Sequence, residues 1–254
     1  MAEVLRAEGL SVRFGGVQAV SGLDLSVQRG ELIGLIGPNG AGKTTALKLL
    51  TGVQSPDTGS VFLNGEDVTR LPVHRRARLG LAMTHQIVRP FRGMTALDNV
   101  MVAAGHARTG AGLGSLFAVS RDAERKRSLD LLDRVGLAGV AAQLTDTLPL
   151  GQLKRLEVAR ALALEPGIAL LDEPLAGLNT NEAQALAETI VTLNRDGLTV
   201  ILIEHNLGEV LRISRRLVVM VGGTIVADGE PASTVLDPVV QEAYVGADED
   251  QAEA

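Results

Sequence analysis

The chain contains no cysteine and no tryptophan, and aromatic residues make up 2% of its 254 residues. The lack of cysteine excludes a disulfide framework and a thiolate metal site, and it is compatible with a reducing compartment. Long apolar runs are also missing, because the longest, such as Leu217–Val221, fall far short of the roughly 20 residues of a membrane span. The start, MAEVLRAEGL, lacks a basic end followed by an apolar run. We therefore predict no signal peptide and a protein that is soluble by itself.

Positive charge is in short supply as well. The 24 lysines and arginines face 30 acidic residues, which gives a net charge of −6. General nucleic-acid binding is disfavoured, because no excess of cations is present to displace counterions. The hydrophobic content of 46% is ample for a core, and the length suits one α/β domain with an appended subdomain.

The N-terminal third alternates in a way that predicts strands. Apolar residues alternate with polar ones around Leu10–Phe14 and again around Leu23–Val27, which indicates two half-buried antiparallel strands. The continuous apolar and glycine run LIGLIG, residues 32–37, predicts a strand covered on both faces. A helix should follow from about Lys43 to Leu50, with Gly52 as its left-handed cap. The short strand Val61–Leu63 should lie between turns at SPDTG (55–59) and Asn64-Gly65.

The middle third predicts helices and no strand from about residue 90 to 164. The predicted segments are a helix capped by Thr95 and Asp98 that runs to about Ala104, a mobile loop over 105–115 and a charged helix from Ser120 to Val135. The β/α pattern then returns with a strand at 168–172, a helix near 181–195, a strand at 199–204 and a hairpin over 216–229. The acidic end, residues 247–254, is predicted to be disordered.

The segment GPNGAGKTT, residues 37–45, carries the first chemistry. It satisfies the pattern G-x-x-x-x-G-K-[ST] with Gly37, Gly42, Lys43 and Thr44, between a predicted strand and a predicted helix. Backbone N–H groups in such a loop surround a phosphate chain, and the helix N-terminus adds partial positive charge. Lys43 would reach the β- and γ-phosphates, and the Thr44 hydroxyl would ligate Mg²⁺. The alternative, a simple glycine-rich turn, is disfavoured by the flanking elements.

Two adjacent carboxylates end the predicted strand at 168–172. Asp172 is placed to hold Mg²⁺ directly or through water, and Glu173 to polarise an attacking water. By themselves these acids would be interpreted as solvated turn residues. The phosphate loop upstream makes the metal role the favoured interpretation.

Residues 148–174, LPLGQLKRLEVARALALEPGIALLDEP, resemble the signature and Walker B block of ATP-binding cassette (ABC) ATPases. Pro149 and Leu150 replace the Ser and first Gly of the common signature LSGGQ. The resemblance implies that Leu150, Gly151 and Gln152 close over an ATP held by a second subunit. Since proline has no hydroxyl and no N–H, the donors left are backbone N–H groups from Leu150 onward, at the start of a helix near Gly151.

Further motifs of the family follow in order. Gln86 resembles the Q-loop glutamine and His205 the switch histidine, although alone each would be a surface amide or a structural histidine. Asn179, in AGLN, takes the D-loop position, where Asp is commoner. Phe14 occupies the place of an aromatic that stacks on adenine; alone it would be interpreted as a core residue, and with Val20 it could serve both roles.

The resemblance covers about residues 4–246 and implies an α/β fold: a P-loop NTPase (RecA-like) core with an N-terminal antiparallel β subdomain and an inserted helical subdomain. The implied division is 1–89 and 165–246 for the core with its β subdomain, and 90–164 for the helical subdomain with the signature. The implied site residues are Phe14, Val20, Asn39, Gly40, Ala41, Gly42, Lys43, Thr44 and Thr45 for ATP; Glu173, His205, Gln86 and Lys43 for catalysis; and Thr44, Gln86 and Asp172 for Mg²⁺.

One branch of the family is indicated by FGGVQAVSGLDLSV, by the long insert at 105–127 and by the ending DPVVQEAYVG. These segments resemble the larger ATPase of branched-chain amino-acid importers. Close relatives serve urea, amides or another small polar solute, whereas the lipopolysaccharide-export ATPase lacks so long an insert. A soluble ABC protein acting on DNA or ribosomes would carry two cassettes or a long coiled coil. A nucleotide-binding regulator without turnover is opposed by the intact Lys43, Asp172, Glu173 and His205.

The resemblance also implies partners. A second ATPase subunit, a paralogue or a second copy, would complete the ATP sandwich. Two permease subunits would dock over residues 86–104 at the cytoplasmic face of the plasma membrane, and a periplasmic or lipid-anchored solute-binding protein would act through them. No nucleic acid is expected. The basic run His74–Arg78 is interpreted first as a solvated face and second as a permease contact.

Overall fold

The computed structural model describes residues 2–84, 86–108 and 121–244, which form two sheets flanked by helices. Over these residues the strands are β1 (Glu3–Phe14), β2 (Val17–Gln28), β3 (Leu32–Ile36), β4 (Thr58–Leu63), β5 (Glu66–Asp67), β6 (Leu81–Met83), β7 (Ile168–Asp172), β8 (Thr199–Ile203), β9 (Arg216–Val221) and β10 (Thr224–Gly229). The helices are α1 (Lys43–Thr51), α2 (Val73–Arg78), α3 (Ala96–Arg108), α4 (Arg121–Arg134), α5 (Leu150–Leu162), α6 (Thr180–Arg195), α7 (Leu207–Ile213) and α8 (Pro231–Thr234).

The first sheet is antiparallel, with the strand order β2-β1-β4-β5. The two predicted N-terminal antiparallel strands are confirmed, and they form a hairpin in which β1 pairs with β2 from Glu3↔Gln28 to Phe14↔Val17. The predicted turn at Asn64-Gly65 is confirmed too. Both residues have positive φ, +50° and +83°, as a tight two-residue hairpin requires.

The second sheet has the order β10-β9-β3-β8-β7-β6, and only its edge strand β10 runs antiparallel to its neighbour. The central strands β3, β7 and β8 are buried at every residue, so they are covered on both faces, since alternate residues of a strand point to opposite sides. Ile168 and Leu170 of β7 pack with the N-terminal sheet and α1, whereas Ala169 and Leu171 pack with the helices on the other side. The mixed sheet with its antiparallel β subdomain confirms the predicted fold class.

The order of strands brings four loops to one edge of the second sheet. The carboxyl ends of the parallel strands β3, β6, β7 and β8 lie side by side there, and in open α/β sheets ligands bind at that edge. The loop after β3 holds residues 37–42, and the loops that follow the other three strands begin near Gln86, Glu173 and His205. Sequence segments more than 100 residues apart thus meet.

The helices α3, α4 and α5 pack against one another and share a core that includes Leu97, Val100, Leu132, Val135 and Leu156. The predicted cap of α3 is confirmed: the Asp98 N–H donates to the Thr95 hydroxyl, and the Thr95 hydroxyl donates to the Asp98 carboxylate. In the described residues from 90 to 164, only an isolated bridge, Thr95↔Leu144, has β geometry.

The predicted end of α3 at about Ala104 is wrong, because the helix continues to Arg108. Packing against α4 explains the difference. A Cβ on Gly105 would come within 3.4 Å of the Glu124 carboxylate, so the small residue allows close approach of the two helices. The rest of the predicted 105–115 loop, the predicted start at Ser120 and the predicted tail at 247–254 lie outside the described residues.

Among the described residues, no helix combines the length and the apolar character that a membrane crossing requires.

Candidate functional site

The loop over residues 37–42 has a backbone that only glycine fits at two points. Gly37 has φ +150°, and a Cβ there would lie 2.0 Å from the carbonyl oxygen of Met220. Gly42 has φ +94°, and its Cβ would lie 2.3 Å from the carbonyl oxygen of Ala19. Strands β2 and β9 thus press against the loop and fix its shape. The loop leads directly into the first turn of α1, so its N–H groups and the helix N-terminus form a cradle suited to phosphate.

Lys43 is the first residue of α1 and is buried. Its Nζ donates to the carbonyl oxygens of Gly37, at 2.7 Å, and Pro38, at 2.9 Å. Burial lowers the pKa of Lys43 from its usual value, while the carboxylates of Glu173 and Asp172 oppose that change. The ammonium is therefore held within the loop and close to the carboxylates at the end of β7. Of the other predicted loop residues, Asn39 and Gly40 are exposed, Ala41 is buried, and Thr44 and Thr45 are half-buried.

The structure brings the predicted metal residues Thr44 and Asp172 together. The Thr44 hydroxyl donates to Asp172 Oδ1 at 3.4 Å, and Asp172 is almost fully buried. A hydroxyl and a carboxylate are oxygen donors of the kind that Mg²⁺ prefers, and Mg²⁺ usually binds few protein groups and keeps several waters. This donor set therefore fits Mg²⁺. The third predicted ligand, Gln86, is directed instead at Glu173.

Glu173 is held between the other two predicted catalytic side chains. Gln86 Nε2 donates to Glu173 Oε2 at 2.6 Å, and His205 Nε2 lies 2.8 Å from Glu173 Oε1. The three residues come from the ends of β6, β7 and β8, so the sheet order alone places them together. Each carboxylate oxygen thus has one polar partner, and 45% of the His205 side chain is exposed.

The backbone at Glu173 is in an unusual conformation. Its φ is +49°, in the left-handed region that residues with a side chain rarely adopt. Its N–H donates to the carbonyl of Ile203, which anchors the turn to β8. Strained backbone of this kind is concentrated at functional sites, where the surroundings hold it in place.

Three further polar residues support this centre, and the sequence patterns did not single them out. The Thr84 hydroxyl accepts from the N–H of Asp172 at 3.2 Å. Glu204 is buried and accepts from the N–H of Leu175 at 2.6 Å. Lys154, on α5, donates to two backbone carbonyls of the site. The position of Glu204, directly before His205 at a strand end, was the one available signal.

The signature residues stand at the start of α5. Pro149 is the N-cap, and its carbonyl accepts from the N–H groups of Gln152 and Leu153. The N–H groups of Leu150 and Gly151 have no partner within the helix, since the first turn of any helix leaves such groups over. The prediction that a helix begins near Gly151 is confirmed, with Leu150 as its first residue.

The same helix start packs against the segment that leads into α6. A Cβ on Gly177 would lie 3.0 Å from the Leu150 side chain, and a Cβ on Gly151 would lie 2.8 Å from the Glu182 carboxylate. Leu150 keeps 45% of its surface exposed. The Oε1 of Gln152 is buried and has no hydrogen-bond partner within the described part of the chain.

Asn179, the predicted D-loop residue, is the N-cap of α6. Its Oδ1 accepts from the Glu182 N–H at 3.0 Å, and the Glu182 carboxylate accepts from the Asn179 N–H at 3.2 Å. This reciprocal capping box occupies the side-chain oxygen of Asn179. The amide nitrogen is the remaining donor, and an aspartate at this position would lack it.

The N-terminal hairpin places one of its two predicted adenine-binding residues at the surface. Phe14 ends β1 and is 48% exposed. Val20 is fully buried in the core, so of the pair only Phe14 offers surface to a base. The hairpin lies beside the phosphate loop, because the Ala19 carbonyl touches Gly42.

A parallel sheet with a phosphate loop after one strand and paired carboxylates after another defines a P-loop nucleoside-triphosphate-binding protein. The family model described as ABC transporter matches residues 20–176. The chain belongs to this family and is one of its ATP-binding cassettes.

Curated relatives match over nearly the whole length. The chain is 41% identical over 249 residues to BraF of Pseudomonas aeruginosa, a high-affinity branched-chain amino acid transport ATP-binding protein, covering 96% of this chain and 98% of the relative. It is 40% identical to LivG of Escherichia coli K12, which bears the same description, with the same coverage. The lipopolysaccharide export ATP-binding protein LptB of Acidithiobacillus ferridurans is 35% identical, with 97% and 98% of the two chains covered.

Solved structures agree. The ADP conformation of an ATP-binding cassette of an ABC transporter is 31% identical and superimposes with a TM-score of 0.86, covering 97% of this chain and 100% of that one. A nucleotide-free cassette from an ABC transporter is 30% identical, with a TM-score of 0.84 and coverage of 95% and 98%.

Proposed function

We propose that the protein is the ATP-hydrolysing subunit of an ABC importer for branched-chain amino acids. The observation that carries the hydrolytic part is the position of Glu173, between Gln86 and His205 and at the same sheet edge as the phosphate loop. The solute is supported by BraF and LivG, which are 41% and 40% identical and are named for branched-chain amino acids. Urea, amides or another small polar solute are the alternatives.

Each group at the sheet edge has a distinct task in this proposal. The loop N–H groups and Lys43 hold the β- and γ-phosphates of ATP and disperse their charge. Glu173 accepts a proton from the water that attacks the γ-phosphorus, as the bond from that phosphorus to the bridging oxygen breaks. The Gln86 amide orients the carboxylate and the water, and the switch residue His205 holds the second carboxylate oxygen. Thr44 and Asp172 would hold Mg²⁺, which would neutralise charge on the phosphates when bound.

The signature is proposed to serve the ATP of another subunit. The N–H groups of Leu150 and Gly151 point out of the start of α5, where the helix dipole favours an anion. Gln152 belongs to the same first turn, and Asn179 stands at the start of α6, which packs against α5. Two chains would sandwich two ATPs, each held by one chain's loop and the other chain's α5, so that hydrolysis separates them. The partner is a paralogous ATPase or a second copy.

Permease subunits are proposed to dock at the segment that follows Gln86. Apolar side chains are exposed there, with Ile87 68%, Phe91 42% and Val102 43% exposed. Asn99 of α3 bonds to both the N–H and the carbonyl of Phe91, at 2.7 and 3.1 Å. A displacement of this segment by a permease would therefore move α3 together with the neighbouring Gln86. The protein would sit at the cytoplasmic face of the plasma membrane through these contacts, with a solute-binding protein acting through the permeases.

The test is transport by the complete complex in proteoliposomes, with leucine, isoleucine and valine as solutes and urea and acetamide as comparisons. ATP-dependent uptake of the three amino acids is expected, and it should be abolished by Lys43→Ala in this chain because nucleotide binding is lost. Uptake of urea or acetamide alone would replace the solute, and a complex that hydrolyses no ATP would contradict the proposed function itself.

A further inference from the structure

Lys154 joins the signature helix to the hydrolytic centre of its own chain. It lies on α5, one turn after Leu150, and 5% of its surface is exposed. Its Nζ donates to the carbonyl oxygen of Gln86 at 3.0 Å and to that of Glu173 at 2.9 Å. One ammonium thus bonds to the backbone of two residues whose side chains also bond to each other.

The charges around Lys154 explain how a buried ammonium is tolerated. An unpaired buried charge is strongly unfavourable, so a buried lysine needs hydrogen bonds and opposite charge. Glu204, Glu173, Asp172 and Glu157 lie close enough to favour the charged form, in decreasing order, against the effect of burial. These acids come from β8, β7 and α5, so several elements around the side chain contribute.

The bond to Glu173 falls on a backbone that needs support. With φ +49°, Glu173 occupies a conformation that is unfavourable for a residue with a side chain. Its N–H donates to the carbonyl of Ile203, and its own carbonyl accepts from Lys154 Nζ at 2.9 Å and from the Ala176 N–H at 3.3 Å, so both ends of the residue are held. Loss of the ammonium would leave the carbonyl with only the longer bond from the Ala176 N–H, and it would remove the link to the Gln86 backbone. The turn could then relax, which would carry the Glu173 carboxylate away from Gln86 and His205.

We propose that Lys154 is a positioning residue that fixes the positions of Gln86 and Glu173 relative to each other. Through Lys154, the signature helix α5 is coupled to the catalytic carboxylate of the same chain. The inference rests on the proposed hydrolytic function. The partner's ATP would thereby influence the hydrolytic site of this chain, because movement of α5 toward that ATP would shift the ammonium that holds Glu173. Each ATP site would then respond to occupation of the other through a single side chain.

The experiment compares Lys154→Met, Lys154→Arg and Arg155→Met in the full-length chain. Met keeps the length and removes the charge, whereas Arg restores a cationic donor. Arg155 is the matched control, because it lies on the same turn of α5 but donates to the Val135 carbonyl, away from the site. Turnover is measured in the complete complex, ATP affinity by equilibrium binding of a fluorescent ATP analogue, and local order by amide hydrogen exchange of the isolated chain.

Lys154→Met should lower kcat by about 10- to 100-fold, the scale of a misplaced catalytic group. ATP affinity should stay within about threefold, since Lys154 donates to the carbonyls of Gln86 and Glu173 and not to the phosphate loop. Lys154→Arg should recover most of the turnover, and Arg155→Met should stay within about threefold of the wild type. Amide exchange should become faster in the segments around residues 86–91 and 172–176 for Lys154→Met only.

Wild-type turnover in Lys154→Met would overturn the proposal, and so would a slow variant whose exchange is unchanged in both segments. Should Lys154→Met not fold, the same comparison between Lys154→Arg and the wild type decides: turnover well below that of Arg155→Met with normal exchange contradicts a positioning role. A wild-type complex without ATPase activity would contradict the proposed function, and the exchange measurement would still test the positioning role.

Discussion

Glu204 should make the stability of this protein depend on pH near neutrality. The residue ends up directly after β8, is 3% exposed and accepts from the Leu175 N–H at 2.6 Å. Burial raises its pKa from 4.5 to about 7, and nearby Glu173 adds to the rise. Hydrogen bonds from the backbone of Leu175 and His205 and the charge of Lys154 oppose it.

The sign follows from where the proton is held more tightly. A carboxyl whose pKa is higher in the folded protein than in the unfolded chain favours folding while it is protonated. This contribution is complete below pH 4.5 and is lost as the pH rises through about 7. Each pH unit between the two pKa values is worth about 1.4 kcal/mol, so the whole effect is about 3 kcal/mol. Most of it, about 2.5 kcal/mol, is lost between about pH 5 and 8.

Glu204→Gln isolates this effect, since glutamine keeps an oxygen for the Leu175 N–H and has no charge to gain. The assay is urea unfolding of the isolated chain, without nucleotide or Mg²⁺, at pH 5, 6, 7 and 8. The free energy of unfolding of the variant minus that of the wild type should rise by about 2.5 kcal/mol from pH 5 to 8. Glu66→Gln, at an exposed residue of β5, is the matched control. If the free energy of unfolding of Glu204→Gln minus that of the wild type does not rise with pH, folding does not raise the pKa of Glu204.

Three further variants test the signature, the adenine contact and a buried arginine. Pro149→Ser combined with Leu150→Gly should leave ATP turnover of the complex within about threefold, since backbone N–H groups already supply the donors; a rise by orders of magnitude would show that the natural signature is impaired. Phe14→Ala should weaken ATP binding by about 10-fold, the scale of one base–aromatic stack. Val17→Ala, at the exposed end of the same hairpin, should leave the affinity unchanged. If equilibrium binding gives equal affinities for the two variants, Phe14 does not contact the adenine. Arg76→Met should lower the free energy of unfolding in urea by about 2 to 4 kcal/mol, because it removes every hydrogen bond from the buried guanidinium to backbone carbonyls. A loss no greater than that of Arg75→Met, at an exposed neighbour, would contradict this.

Local signals were sufficient for the elements that frame the site. Gly52 caps α1 in a left-handed conformation with φ +77°, and its space is closed by the side chain of Arg76, so glycine is required there for two reasons. The Asn64-Gly65 turn and the Thr95 cap were readable because each depends on residues within a few positions. Lys43 and Glu173 lie close together because each follows a parallel strand, and the carboxyl ends of parallel strands share one edge of the sheet.

Contacts between distant segments were beyond the same patterns. The basic run His74–Arg78 was predicted first as a solvated face, yet Arg76 is buried and donates to the carbonyls of Leu49, Leu50, Thr69 and Leu71. Nothing in the sequence of the run distinguishes Arg76 from the neighbouring arginines. Its partners are offered by the last turn of α1 and the segment before α2, which only the tertiary fold brings near.

Lys154 and Glu204 show the same limit within the site. The carbonyl that Lys154 meets on Gln86 lies 68 residues away in the chain, and Glu204 meets the N–H of Leu175 from 29 residues away. Both bonds involve backbone groups, which every residue carries, so no residue type at the far position marks them. Side-chain motifs are visible in a sequence, whereas backbone partners are not.

The proposed role of Glu173 as the base of an ATP site is best tested with the Glu173→Gln variant in the complete complex. ATP hydrolysis and the amount of ATP retained by the purified complex are measured on the same preparation. We expect turnover to fall by about 100-fold or more while ATP stays bound between the two ATPase subunits, because glutamine keeps the shape but accepts no proton. Hydrolysis at the wild-type rate would exclude Glu173 as the base.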